Sequence, residues 1–551
     1  MKNCCINKAF FLSLCLAFGI SGLWAQTGQR RYDLIPYPAS LTPRAGNFTV
    51  GVKTRLISAG GGAFLNETEF LANLLSNYFG GALPRGGDAA AANSIVLEQD
   101  ASLAGTEAYN LDITEKRIKL SAGGGAGMFY AIETLRQLLP DAVETGRGSA
   151  LSVPCVQIAD RPAFAWRGMM LDVSRHFFSL QYLKKYADMM ALYKLNKLHL
   201  HLTDDQGWRI EIKKYPRLTA EGAWRTWNNQ DSACMKKAAE TGNPDLEPEK
   251  THVIQKNGQS LYGGFYTQAE MRDFIQYAES RHIEVIPEID MPGHMMAAAR
   301  IYPELTCDMV VSNNPNEFSN PICPCNPKVL EFAKDVFSEI AELFPSRYIH
   351  IGGDEVNKKN WANSPVVQAF MRARGFSDMN QIQSYFNDYM LDFFRSKGKK
   401  LLGWDEIIEG GIDSSATMMF WRAWAPGAPA KAAENRNRIV MAPDGPLYFD
   451  AIEDAQTLPA VYHYDPYDSA LYHLSAEAKK YILGVQANLW TEMVPSENRA
   501  DYMTMPRLTA LAEIGWTHRY QYADYLQRLQ AHYARLDRLK IHYREQRPAR
   551  N

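Results

Sequence analysis

The chain of 551 residues is too long for one ordinary core, so one large and one smaller domain are expected, the large one of barrel size. A formal charge of −2 from near-equal numbers of acids and bases gives no field to draw in nucleic acid or an anionic membrane. The expected partner is neutral, and 11 Trp with 28 Tyr suit stacking on sugar faces as well as filling a large core.

Lys2 and Lys8 introduce an apolar run from Ala9 to about Ala25, and polar Gln26-Thr-Gly-Gln follows. Residues 1–25 read as a secretory signal, too short for a comfortable membrane span, which predicts export to the periplasm or the extracellular space. A lipid anchor on Cys15 is the rival; Leu14 before it and continued apolar sequence after it argue against that. No second long apolar span follows. Five cysteines lie beyond the signal, an odd number that leaves at least one thiol without a partner in the chain. Cys307 with either Cys323 or Cys325 could close a Pro/Asn-rich loop, whereas Cys323-Pro-Cys325 has no second Cys pair to make a zinc site.

Residues 26–160 read as a small α/β domain. Ser94-Ile-Val-Leu, Tyr109-Asn-Leu-Asp-Ile-Thr and Arg117-Ile-Lys-Leu-Ser predict strands, and the apolar spacing from Gly127 through Leu139 predicts a helix. The glycine run at 123–127 lacks the Lys-Ser/Thr of a P-loop and the spacing of a dinucleotide fingerprint, so a strand-to-helix turn is favoured over a phosphate cradle.

From 161 to 520 strands alternate with helices. The predicted strands are Gly168 to Ser174, Lys197 to Thr203, Ile283 to Ile289, Tyr348 to Ile351, Lys400 to Trp404, Thr417 to Trp421, Arg438 to Ala442 and Ile482 to Ala487. Helices are predicted at Gln181 to Tyr193, Gln268 to Arg281, Val329 to Phe344 and Gln381 to Lys397. Eight strands in this rhythm imply an α/β fold, a (β/α)8 TIM barrel preceded by the smaller α/β domain. Trp224 to Tyr262 reads as a long polar insertion after the second strand, with few periodic apolar residues, placed to shape the outer cleft. Residues 521–551 carry a closing amphipathic helix, Tyr522 to Tyr543, packed on the barrel.

Chemistry in such barrels sits at the C-terminal strand ends. There this chain places Asp172 and Arg175, Asp204-Asp205, Glu288-Ile-Asp290 with His294, Asp354-Glu355, Trp404-Asp405-Glu406, Trp421, Tyr448 with Asp450, and Trp490 with Glu492. The most informative stretch is Tyr348-Ile-His-Ile-Gly-Gly-Asp354-Glu355, a β-branched run delivering two carboxyls into a cleft past two glycines. Carboxyls held close push each other's pKa apart, so one stays protonated as a donor while the other stays charged.

These residues resemble the family-20 glycoside hydrolases, the retaining β-N-acetylhexosaminidases, from about Trp166 to Thr517. The motifs are Asp172-Val-Ser-Arg175, His199-Leu-His-Leu-Thr-Asp-Asp-Gln-Gly-Trp208-Arg, Pro287-Glu-Ile-Asp-Met-Pro-Gly-His294, His350-Ile-Gly-Gly-Asp-Glu355, Gly403-Trp-Asp-Glu and Leu489-Trp-Thr-Glu492. The resemblance implies a carbohydrate substrate with an N-acetylated end, no metal and no other cofactor. It implies that the nucleophile is the substrate's own 2-acetamido oxygen, which closes onto C1 as an oxazolinium. Glu355 would be general acid and base, Asp354 would hold the acetamide N–H, and Tyr448 its oxygen. Trp404, Trp421 and Trp490 would wall the acetyl pocket. Arg175 and Glu492, with Asp450, would bind ring hydroxyls, and His294 with Asp205 would orient the acid.

Three rivals stand beside this reading. His199-Leu-His201 puts two imidazoles on one strand face, as in metal-dependent amidohydrolases, but the fifth and sixth strands end in Trp404 and Trp421, which cannot be ligands. A sugar-binding protein without catalysis would not need Glu355 and Tyr448. A conventional glycosidase would pair Glu355 with Glu492 across the barrel.

Overall fold

The computed structural model describes residues 31–59, 62–318, 320–451 and 456–546. The predicted signal, residues 1–25, lies outside the described residues. Among the described residues no helix is long and apolar enough to cross a membrane.

The small domain is a mixed six-stranded sheet with two helices, Leu65–Phe79 and Gly125–Leu138, packed on it and on each other. Its strands alternate as half-buried strands must. In Tyr109–Ile113, Tyr109, Leu111 and Ile113 are buried while Asn110 and Asp112 are half exposed. The glycine run lets the second helix ride close to the neighbouring backbone: a Cβ at Gly127 would lie 2.4 Å from the Ala108 carbonyl oxygen.

Eight parallel strands close the barrel in chain order, the last pairing with the first. They are Trp166–Asp172, Lys197–His201, Glu284–Glu288, Tyr348–His350, Lys400–Trp404, Thr417–Phe420, Arg438–Met441 and Ile482–Leu489. Each predicted strand is present with ends shifted by at most two residues. The barrel is filled by Met170, Ile286, Leu402, Met419 and Val440, together with the fully buried polar residues His199, His201, Glu288 and His350.

The small domain docks beneath the N-terminal strand ends, where Arg167 meets Glu107 at 2.7 Å and Lys194 meets Asp160 at 3.2 Å. The last helix, Tyr522–Arg538, touches both parts: Arg528 donates to the Leu34 carbonyl (2.6 Å) and to Glu513, and Arg535 to the Leu139 carbonyl (2.9 Å) and to Glu144.

The 224–262 insertion, polar and poor in periodic apolar residues, is ordered. It holds a capped helix, Asn229–Thr241, and a three-stranded antiparallel sheet, Trp224–Arg225, Gln259–Gly263 and Val253–Lys256. Its apolar residues are sparse because its order comes from polar anchors, above all Asp231 bonded to Arg225 and to His176 (3.1 Å). The disulfide open in the sequence is Cys307–Cys323; Cys325 is a free thiol.

Candidate active site

A cleft of about 450 Å3 opens at the C-terminal strand ends. Arg175, His294, Asp354, Glu355, Trp421, Tyr448, Asp450, Trp490 and Glu492 line it, joined by Asp444 and Met493.

Its acidic centre follows from the turn after Tyr348–His350. Gly352 and Gly353 adopt φ of 69° and 93°, and a Cβ at Gly352 would sit 1.7 Å from Asp290 Oδ1, so only glycine lets the chain pass. The Gly353 N–H donates to Asp290 Oδ1 at 3.1 Å, fixing the turn to the neighbouring strand end. Glu355 itself is left-handed, φ 48°, an uncommon conformation for a side chain of its kind. The two neighbouring carboxyls therefore sit at different depths in the cleft. The Asp354 side chain is 10% exposed and that of Glu355 is 58% exposed, at the mouth.

His294 stands between them and the floor of the site. Its Nε2 lies 3.8 Å from Asp354 Oδ2 and 3.7 Å from Glu355 Oε2. Its Nδ1 lies 3.2 Å from Asp204 Oδ1 and 3.6 Å from Asp205 Oδ2. Burial works against a charged imidazole here, but the Asp204 and Asp205 carboxylates overcome it and hold the His294 pKa well above its usual value. Burial, reinforced by the Glu288 and Glu355 charges and opposed by His294, pushes the Asp354 pKa up. The Tyr448 phenol, buried and facing carboxylates, is pushed well above its usual value and stays a donor.

Opposite the acids, Arg175 is clamped by Asp172 (3.2 Å) and Asp204 (2.8 Å), stacks 4.9 Å over the Trp490 ring, and reaches Glu492 at 3.7 Å. Trp421 and Tyr448 lie nearly parallel, 17° apart with centroids at 6.1 Å, and Trp490 closes the third side 6.3 Å from Tyr448. Together these make a small aromatic box beside a carboxyl pair, with a clamped guanidinium across from it: fittings for a polar ring bearing one apolar appendage.

Residues 164–519 match the family description "Glycosyl hydrolase family 20, catalytic domain", and residues 31–161 match its domain 2. The chain belongs to glycosyl hydrolase family 20. It is 38% identical over 93% of its length to a "Beta-hexosaminidase" of Porphyromonas gingivalis, and 38% identical over 74% to one of Vibrio furnissii. It spans just under two thirds of those curated relatives, 64% and 65% of their lengths. It superposes with a TM-score of 0.79 and 33% identity on a family-20 exo-β-N-acetylglucosaminidase of Vibrio harveyi solved with N-acetylglucosamine, covering 93% of this chain and 78% of that one.

One predicted residue sits deeper than the sequence suggested, and another has a neighbour that shares its task. Trp404 is fully buried beneath this family-20 cleft, its Nε1 donating to Glu288 Oε1 at 2.8 Å and its ring 5.7 Å from Trp490. It supports the aromatic box from below. Asp205 receives the Met296 N–H at 3.0 Å, so it fixes the loop carrying His294, while the nearer carboxylate on the imidazole is Asp204. Asp204 joins Arg175, His201 (2.8 Å) and His294; its role is hidden in sequence because either member of an adjacent Asp-Asp pair satisfies the pattern. Asp290 and Glu406, strand-end acids in the sequence, take their charge state from neighbours that only the fold brings together. Asp290 is pushed well up by burial and Asp354, and Glu406, under Trp421 Nε1 at 2.8 Å, is pushed up to about 8 by burial with Asp354 and Asp405.

Three buried sets come within ligand spacing for a metal: His199, Glu288 and His350; His201, Glu288 and Asp290; Asp204, Asp290 and His294. Glu288 is already engaged by His199 (3.0 Å), His201 (2.6 Å), His350 (3.0 Å) and Trp404. His199 and His201 therefore act as partners of one buried carboxylate. The 224–262 insertion supplies none of the cleft-lining residues: Arg225 donates to the Arg175 carbonyl at 3.0 Å, and the Cys234 thiol meets the Glu492 carbonyl at 3.8 Å.

Proposed function

We propose that this protein is an exo-acting, retaining β-hexosaminidase that removes terminal β-linked GlcNAc or GalNAc from glycans, with the substrate's acetamido group as nucleophile. The observation that carries the reading is that Asp354 and Glu355 lie beside one imidazole, 3.8 and 3.7 Å from the same His294 nitrogen. A conventional retaining pair must face each other about 5 Å apart across C1. Side by side, one carboxyl can serve the glycosidic oxygen and the other the acetamide.

In this mechanism Glu355 protonates the leaving oxygen, then deprotonates the water that opens the oxazolinium. Asp354 accepts the acetamide N–H and stabilises its growing positive charge; Tyr448 donates to the acetamide oxygen and aims it at C1. The Trp421, Tyr448 and Trp490 walls receive the methyl group. Arg175, Asp450 and Glu492 bind ring hydroxyls. Glu492 lies 3.7 Å from the Arg175 guanidinium, which supports a shared role in binding hydroxyls. The names of the Porphyromonas and Vibrio relatives support the same activity.

The test is a thiazoline mimic of the cyclised intermediate. It should inhibit strongly and lose affinity with Tyr448→Phe. Efficient hydrolysis of plain β-glucosides without mimic binding would favour the Glu355/Glu492 pair. We further propose export; a mature N-terminus near Gln26 outside the cytoplasm supports it, and an intact N-terminus in the cytosol sinks it.

A further inference from the structure

The 224–262 insertion grips the loop that carries Arg175 at three consecutive residues. Arg225 donates to the Arg175 carbonyl (3.0 Å), Asp231 Oδ1 lies 3.1 Å from His176 Nε2, and the Tyr262 hydroxyl receives the Phe177 N–H at 3.0 Å. His176 passes the grip on. Its backbone N–H donates to Thr491 Oγ1 (3.1 Å) and its Nδ1 lies 2.5 Å from the Thr491 carbonyl, so the residue after Arg175 is tied to the residue before Glu492. Asp231 is the hub of this arrangement. It is fully buried, its Oδ2 accepts the Asn228 N–H at 2.8 Å, and both its oxygens accept from Arg225. Burial acts to raise the Asp231 pKa, but His176 and Arg225 outweigh it and hold the carboxyl below its usual range. The two hydroxyl-binding side chains depend on the hub unequally. Arg175 has its own clamp at the guanidinium, Asp172 and Asp204. The Glu492 side chain is 33% exposed and has Arg175 at 3.7 Å as its one ion-pair partner among the described residues, so its place is set by the backbone beneath it.

We propose that Asp231 is a positioning residue: through His176 and Arg225 it holds the Glu492 segment in register with Arg175, and so sets how sharply the protein distinguishes sugars at the end of the ring remote from the scissile bond. The inference rests on the function proposed above and adds a determinant of its specificity. With C1 at Glu355 and the acetamide in the aromatic box, a pyranose turns C4, across the ring from C1, away from the acids and toward Arg175 and Glu492. Epimers at C4 differ only in where one hydroxyl points. Telling them apart requires a donor and an acceptor at fixed separation, because a carboxylate free to shift follows the hydroxyl in either direction. The cleft wall alone does not fix that separation; the ties behind it do.

The test measures kcat/KM for an aryl β-N-acetylglucosaminide and for its 4-deoxy analogue, in wild-type protein and in two variants. Wild-type protein should lose roughly tenfold or more with the hydroxyl, as one charge-assisted hydrogen bond implies. In Asp231→Ala that penalty should shrink to about threefold or less. The loss on the parent substrate should fall on KM with kcat little changed, since binding made equally in ground and transition states is what is removed. Asp231→Asn keeps one acceptor oxygen and the shape of the side chain, so it should give an intermediate penalty, and it provides the reading if Asp231→Ala does not fold. A wild-type protein indifferent to the hydroxyl, or a penalty that stays at the wild-type value in the variants whatever their overall loss, overturns the positioning role. If wild-type protein fails to turn over the parent substrate at all, the proposed function falls. Intact turnover with an unshifted penalty removes only the role of Asp231.

Discussion

At the N-terminal end of the barrel, Asp160 receives Tyr109 at 2.5 Å, Lys194 at 3.2 Å and Trp516 Nε1 at 3.0 Å. Arg167 spends its guanidinium on Glu107, the Phe164 carbonyl (2.7 Å) and the Lys194 carbonyl (2.9 Å). Every one of these buried polar groups has its partner. At the C-terminal end Arg175 Nε and Asp450 Oδ1 are buried with no hydrogen-bond partner among the described residues, and Asp450 is pushed up to about 7 by burial and the Glu492 charge. Saturated polar networks hold parts together, and unsaturated ones wait for a ligand's polar atoms.

Mutations should separate the two ends. The largest expected effect is Glu355→Gln, a loss of roughly 10²–10⁴ in rate on a natural oligosaccharide, and much less on an activated aryl substrate whose departure needs little proton assistance. Asp354→Asn should cost on the order of 10²–10³ whatever the leaving group, and should weaken the thiazoline mimic; dependence on the leaving group would break the assigned division of roles. At the other end, Asp160→Asn should leave kcat/KM unchanged while lowering stability in urea by about 3–5 kcal/mol, because Lys194 is left buried without its counter-charge. Reduced activity without reduced stability would erase the distinction between the ends.

A smaller effect is electrostatic. Asp450 ordinarily titrates near 3.8 and is raised to about 7 in the fold, so between those values the folded state keeps a proton that the unfolded chain has lost. Its contribution to stability is present below about pH 4, declines as pH rises, and is gone above about pH 7. Asp450→Asn should flatten that part of the Tm-against-pH curve. The smallest expected effect is that of chelation: exhaustive treatment should leave the rate unchanged, and a loss restored by zinc would reinstate His199 and His201 as ligands.

The barrel was legible because each strand is a short apolar run ending in polar residues, a pattern that survives reading one residue at a time. Arg175, His294, Asp354 and Glu355 were legible because strand ends converge in such a barrel. Trp404 misled for a physical reason: a tryptophan at a strand end can face the cleft or lie beneath it, and its hydrogen bond to Glu288 decides which. Asp204 was hidden by its twin, Asp205. The order of the insertion was not legible because it rests on Asn228, Asp231 and Arg225, polar residues whose pairing leaves no periodicity in the sequence.

The final helix has a bearing on how the protein is made. Its hydrogen bond from Arg528 to the Leu34 carbonyl joins positions 494 residues apart, and His532 reaches the Asp33 carbonyl at 2.9 Å. During synthesis the small domain emerges first, and it waits for almost the whole barrel to be translated before this clasp closes. That contact therefore forms only after the whole barrel has been made, and a chain interrupted before Arg528 leaves the small domain and barrel without the helix that fastens them.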